Sequence, residues 1–145
     1  MQLQNAVAVG SVTPLNEIAS YTTMSKKVEF LAPDYALSYA WDGVIPGSGT
    51  SVATPIVAGS YAILKSAFPT LSPNQILQTM KVTGDPVDDA FVPGKPKINV
   101  GKAFSALKAG NIPVIPKETE TGEESKQSTS ILFAKVFNCS IAAGR

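Results

Sequence analysis

A few places in the chain hold residue types that could do chemistry, and one missing type limits them all. The 145 residues include no His, the side chain that most often moves protons near neutral pH. Any His-dependent mechanism must take its base from another chain or segment. Ser105-Ala106-Leu107-Lys108 matches the SxxK pattern of one class of acyl-transfer enzymes, but the SDN and KTG motifs that complete it are absent. An ordinary helix surface is expected there. Asp88-Asp89 offers adjacent carboxylates in a Pro- and Gly-rich stretch. Calcium would need further oxygen ligands around them, so a solvated pair is the simpler reading. Asn138-Cys139-Ser140 fits the glycosylation sequon, which arises often by chance. The single Cys excludes an internal disulfide and, without His, the usual zinc ligand sets.

Gly47-Ser48-Gly49-Thr50-Ser51 is the richest of these segments. A Gly turn running into a helix could cradle an anion on free N–H groups. It is nevertheless neither a Walker A loop, having no Gly-Lys-Ser/Thr ending, nor a GxGxxG fingerprint. Ser51 has two readings. On local sequence alone it is an N-cap, whose side-chain oxygen would satisfy an orphan donor of the first turn. A serine in that place is also well set as a nucleophile, because neighbouring backbone N–H groups can stabilise an oxyanion as a tetrahedral intermediate forms.

The elements that must position Ser51 follow from hydrophobic patterning. Ala6 to Val9 is a short apolar run ending at Gly10, and Val28 to Leu31 another, ending at Ala32-Pro33-Asp34; both suit internal strands. Ala19 to Thr23, rich in hydroxyls, reads as an irregular strand or loop at a sheet edge. Gly43, Pro46, Gly47 and Gly49 should break any periodic structure. From Ser51 to Leu64 the chain is apolar on nearly all sides of a helix, which predicts a central, buried element. Pro55 lies near its start, where a missing N–H is tolerated. Ser72, Pro73 and Gln75 form a capping box opening a second helix, with Ile76, Leu77 and Met80 on its apolar face. Gly84-Asp85-Pro86 ends it and a loop runs to Pro96. A short helix from Lys102 to Lys108 stops at Gly110.

Composition narrows the function classes. With 44% hydrophobic and 16% charged residues, one domain can bury roughly 70% of its unfolded surface. Twelve Lys and Arg against eleven Asp and Glu leave no basic excess for a row of phosphates, so no nucleic-acid partner is expected. Met1 to Val12 lacks the charged and apolar regions of a signal peptide, and Ile131 to Ala143 is shorter than the ~20 residues that span a bilayer. No membrane partner is expected. Lys117 to Ser130 holds no large apolar side chain and reads as a solvated linker.

The string Gly49-Thr50-Ser51-Val52-Ala53-Thr54-Pro55-Ile56-Val57-Ala58-Gly59 resembles the serine signature of the subtilisin-like serine peptidases, GTS-x-A-[ST]-P-x-V-A-G. Flanking segments resemble the family in the same order: NAVAVGSV from Asn5, ASYTTMS from Ala19, VEFLAPD from Val28, FPTLSPNQI from Phe68 and Ile98-Asn99-Val100. The resemblance covers about Asn5 to Leu107. Ile56 stands where many members have His (not the triad base), Val52 replaces the common Met, and Asp34 replaces the usual Gly after Ala-Pro, which hints at a different turn.

The resemblance implies an α/β fold, the C-terminal portion of a three-layer subtilisin-like domain with a central, mostly parallel sheet and a buried central helix starting at the Ser. Residues 1–112 would form that portion, 113–130 a polar linker and 131–145 a short tail. It also implies a serine-type endopeptidase acting through an acyl-enzyme, with Ser51 as nucleophile and its N–H as an oxyanion donor. The family places its Asp and His upstream of the Ser, and also the Asn that completes the oxyanion hole, so this chain would lack them and be inactive alone. A non-catalytic remnant or binding module of the same fold is the alternative. The family further implies a protein or peptide substrate, a partner in the missing N-terminal part, secretion or extracytoplasmic location, and no cofactor beyond structural calcium, for which no site can be assigned.

Overall fold

The computed structural model describes residues 6–23, 25, 27–41, 43–87 and 94–113. Asp88-Asp89, residues 114–130 of the linker, the tail and the sequon lie outside the described residues. The order of elements is β1 (Ala8–Val12), β2 (Val28–Pro33), β3 (Tyr35–Ala40), β4 (Gly43–Ser48), α1 (Thr50–Ala67), α2 (Pro73–Thr83), β5 (Asp85–Val87), β6 (Lys95–Lys97) and α3 (Val100–Lys108). One sheet has the order β1-β2-β6-β5, and β3 and β4 form a separate ribbon. The β1–β2 and β2–β6 pairs are parallel, and only the short β5–β6 pair is antiparallel. This is the mainly parallel α/β arrangement expected from the sequence.

Strand β2 is buried on both faces, as its unbroken apolar run requires. Phe30 and Ala32 face the helices, where they pack with Ala53, Val57, Tyr61 and Leu64 of α1, Ile76 and Met80 of α2, and Ala103 and Leu107 of α3. Leu31 points the other way, to Val12, Val28 and Val87. Each such large side chain contributes about 1.5–3 kcal/mol by leaving water. The 19–23 stretch is a loop on the outer edge of β1: Thr22 Oγ1 accepts the Ser11 N–H at 3.1 Å and donates to the Ser11 carbonyl at 3.2 Å, while Ala19 N–H reaches the same carbonyl at 3.0 Å. A hydroxyl here does the work of a ladder strand, which explains its place in so apolar a neighbourhood.

Helix α1 departs from expectation on two counts. It is buried along one stripe, Ala53, Val57, Ser60, Tyr61 and Leu64, a spacing of three and four residues. The opposite side, with Ser51, Pro55, Gly59 and Ile63, is exposed, Ile63 to 60%. Sequence apolarity therefore overstated its enclosure within this chain. The helix also begins at Thr50, so Pro55 lies inside it beyond the first turn. The N–H that Pro55 lacks would have bonded the Ser51 carbonyl.

Helix α2 carries the capping box as read: Ser72 Oγ accepts the Gln75 N–H, and Gln75 Oε1 accepts the Ser72 N–H at 2.8 Å. Helix α3 starts two residues before the sequence reading, because Asn99 caps it by accepting the Lys102 N–H at 3.0 Å. Asp85 joins this cap to β5. It accepts from Asn99 Nδ2 at 3.0 Å and Lys102 Nζ at 2.5 Å, and these bonds hold its carboxyl below the ordinary Asp range. Ser105 and Lys108 are exposed on α3, the surface role expected for the SxxK match.

Candidate active site

The Gly cluster does not break periodic structure. It builds β4, which pairs antiparallel with β3 from Tyr35↔Ser48 to Ala40↔Gly43 and places Pro46 opposite Leu37. This correction matters for the site, because the returning strand delivers the chain to Gly49 at the mouth of α1. Gly49 is the N-cap with φ 120° and ψ 172°, and it offers no side-chain cap. That backbone region is essentially reserved for Gly. Its carbonyl accepts the Val52 N–H at 2.9 Å and the Ala53 N–H at 3.3 Å. The N–H groups of Thr50 and Ser51 precede these first helical bonds and point out of the helix end, where the dipole is positive.

Ser51 is the second residue of α1 and is exposed. It is not the N-cap, so the simpler sequence reading is corrected: the cap is Gly49. Among the described residues no side chain or backbone group holds the Ser51 hydroxyl. Because the chain has no His, a nitrogen base could come from within it only as Lys. Lys65, on the same helix, is committed at the far end, where its Nζ donates to the Pro69 carbonyl at 2.8 Å and the Leu71 carbonyl at 2.7 Å.

Two further residues frame the helix mouth. Asp34, between β2 and β3, is buried; its N–H donates to the Val12 carbonyl at 2.9 Å and its carbonyl accepts the Gly49 N–H at 2.9 Å. Its carboxylate accepts from the Tyr21 hydroxyl, which raises the Tyr21 pKa above the ordinary tyrosine value, with lesser contributions from desolvation and the Asp34 charge. The substitution of Asp for Gly after Ala-Pro was visible in the sequence; its pairing with Tyr21 carried no local signal. The helix mouth thus sits at the C-terminal ends of parallel β1 and β2, where open α/β sheets bind ligands.

Among the described residues no group of three or more His, Cys, Asp or Glu lies close enough to hold a metal ion. No helix among them is long and apolar enough to cross a membrane.

A parallel sheet whose strand ends meet a glycine-capped helix, with a free serine in its first turn, defines an α/β protein built around a helix-terminal serine. A family model for the subtilase family, Peptidase_S8, matches residues 1–122, and the chain belongs to that family. It is similar to Subtilisin DY of Bacillus licheniformis, at 34% identity over 101 residues, which are 68% of this chain and 37% of that protein. Subtilisin NAT of Bacillus subtilis subsp. natto is 33% identical over 101 residues, which cover 26% of its length. Among solved structures it is similar to the patellamide maturation protease PatA, with a TM-score of 0.64 and 29% identity over 74% of this chain and 44% of that one. The prenylagaramide maturation protease PagA gives a TM-score of 0.64 and 26% identity, covering 72% and 43%. The chain thus spans less than half the length of these relatives.

Proposed function

We propose that this chain is the nucleophile-bearing part of a subtilisin-like serine endopeptidase, with Ser51 attacking the scissile carbonyl of a protein or peptide. Residues 1–112 form that part of the catalytic domain, followed by a polar linker to 130 and a tail. The observation that carries the reading is the placement of Ser51: exposed, with no partner for its hydroxyl among the described residues, in the first turn of α1 two residues after Gly49. In the reaction its Oγ adds to the carbonyl carbon, the carbonyl oxygen takes the negative charge, and the Ser51 N–H donates to that oxygen. The proton leaving Oγ requires a base, and the chain has no His to take it. By family logic a His supplied by an upstream segment takes it, and an Asp from that segment orients the His. The chain by itself is therefore inactive, and the family's extracytoplasmic location is the proposed setting.

A fluorophosphonate probe tests this. The expected result is no labelling of the chain alone and Ser51-dependent labelling once a segment carrying the Asp and His is supplied. Labelling that persists in Ser51→Ala would overturn it. No labelling with a folded, bound upstream segment would favour the non-catalytic binding module.

A further inference from the structure

Asp34 is the one acidic residue fully buried among those described, at 7% exposed, yet it has no cation. Glu29 and Asp85, both half-buried, have one each: Lys81 Nζ stands 2.6 Å from Glu29 Oε2, and Lys102 Nζ 2.5 Å from Asp85 Oδ1. The Asp34 carboxylate has instead the Tyr21 hydroxyl, which donates to Oδ2, and no other donor among the described residues. A tether to Tyr21 does not explain the charge, because an Asn would accept the same bond without the cost of taking an ion out of water. The second carboxylate oxygen remains open. Among the described residues Ser11 Oγ is the one fully enclosed side-chain oxygen or nitrogen without a partner, so Asp34 Oδ1, which also lacks one, reaches the surface.

The surface it reaches belongs to the helix mouth. The Asp34 N–H bonds the Val12 carbonyl and its own carbonyl accepts the Gly49 N–H, two residues before Ser51. Continuing the β3–β4 ladder by one pair sets the Asp34 and Gly49 Cα atoms ~5.5 Å apart, and two further residues reach Ser51 in at most ~7 Å. Asp34 therefore lies within ~13 Å of the serine. An extended peptide advances ~3.3 Å per residue, so a long side chain up to three residues from the scissile bond can cover that distance. Tyr21 is 52% exposed, which leaves an aromatic surface that attracts cations beside the open oxygen.

Resting on the peptidase reading above, we propose that Asp34 is a specificity-determining residue: its open oxygen takes the cationic side chain of a substrate Lys or Arg near the scissile bond, while Tyr21 holds the other oxygen in place. A metal ion is the weaker occupant, since no group of three His, Cys, Asp or Glu gathers there among the described residues. A cation from the upstream segment is weaker too, because Asp34 lies at the C-terminal ends of β1 and β2, where open α/β sheets bind ligands.

Fluorophosphonate labelling of Ser51 and cleavage of short peptides, both with the full chain bound to a segment carrying the Asp and His, test this. The peptides carry Arg, Gln or Glu at one position at a time, over three residues on each side of the scissile bond. At one position Arg should exceed Gln in kcat/KM by roughly tenfold or more, the size of one hydrogen bond to a charged group, and Glu should fall below Gln. In Asp34→Asn, which keeps the side-chain shape and the bond from Tyr21, Arg and Gln should become equal within about twofold. Tyr21→Phe removes the hydroxyl and leaves the charge, so it should keep an Arg preference. A merely structural tether would lower cleavage of all peptides together in both variants, and that result would overturn the proposal. Each preference is a ratio within one protein, so a change in folded fraction cancels. No Arg preference in the wild type, as when the upstream segment already pairs Asp34, or a preference that survives Asp34→Asn would overturn the proposal while Ser51 labelling upholds the peptidase reading. Absence of labelling would overturn both.

Discussion

Asp34 and Gly49 are joined by a 2.9 Å hydrogen bond from the glycine N–H to the aspartate carbonyl, which ties the end of β2 to the first turn of α1. The Asp34 N–H, bonded to the Val12 carbonyl, carries the same linkage to β1. Two parallel strand ends and the N-terminus of the serine helix are therefore fixed by the main chain of one buried residue. The direction of the Thr50 and Ser51 N–H groups is set by this junction, and Gly49 is its flexible link.

Gly49→Ala should strain this junction. At φ 120° and ψ 172° a Cβ costs about 1–3 kcal/mol whatever space surrounds it, and space is not the problem here, since the nearest neighbour to an added Cβ is Ser51 N at 3.9 Å. Chemical denaturation should show a loss in that range. Gly94→Ala, at φ 72° with nothing near its Cβ and far from the helix mouth, gives a comparison. A Gly49→Ala protein as stable as wild type would mean that the turn relaxes to another conformation.

Ser72→Ala removes the oxygen that accepts the Gln75 N–H and should cost ~1 kcal/mol, the usual value of an N-cap. Ser72→Asp should keep most of the stability, because a carboxylate accepts the same bond and favours the helix dipole. Equal denaturation midpoints for Ser72→Ala and wild type would show that solvent satisfies the first turn as well as the side chain does.

The features legible in the sequence were those set by near neighbours or strong patterning. The capping box joins Ser72 to Gln75, three residues on, and its partners are fixed by helix geometry alone; both were read correctly. Strand β2 announced itself through an unbroken apolar run. The ribbon was missed because Gly43, Pro46 and Gly47 carry poor strand propensity, yet a two-stranded edge tolerates them: Pro46 occupies a position whose N–H is not needed for pairing with β3. The start of α3 was placed late, at Lys102, because the cap is Asn99, whose bond from the Lys102 N–H puts Val100 and Gly101 inside the first turn. At the site, Ser51 was legible through its signature. The Tyr21–Asp34 bond was not, since the two residues meet only after the chain has turned and run the length of β2.

That bond gives the fold an alkaline sensitivity. The Tyr21 pKa is raised in the folded state, chiefly by its hydrogen bond to Asp34, so its contribution to stability is complete below the unfolded value near 10 and is lost as pH rises through the folded one. Above that point a tyrosinate would face a carboxylate. Tyr61 shifts in the same direction through burial and adds to the slope. Thermal unfolding between pH 8 and 11 should decline less steeply in Tyr21→Phe than in wild type. Parallel curves would show that the bond contributes nothing to the titration.

The last expectation separates structure from chemistry on α1. Lys65 is the one cation on the serine helix, and loss of its side chain should affect stability alone. From 51 to 65 the helix rises about 20 Å at 1.5 Å per residue, far beyond the ~3 Å within which a base must approach a nucleophile. The Lys65 ammonium is instead held by the Pro69 and Leu71 carbonyls and closes the turn between α1 and α2. Hydrogen bonds from a charged donor of this kind are worth about 1.5–3 kcal/mol together with the acceptors they satisfy, and partial exposure places these at the lower end. Lys65→Met, which keeps the length and apolar stem of the side chain, should therefore lower the unfolding free energy by ~1.5 kcal/mol. Fluorophosphonate labelling of Ser51, in the presence of a segment carrying the Asp and His, should be unchanged within about twofold once the samples are matched for folded fraction. In subtilisin the loss of the catalytic base costs on the order of a million-fold in turnover, so a lysine acting as base could not be removed unnoticed. A collapse of labelling in a well-folded Lys65→Met protein would place this lysine in the reaction and contradict its structural assignment.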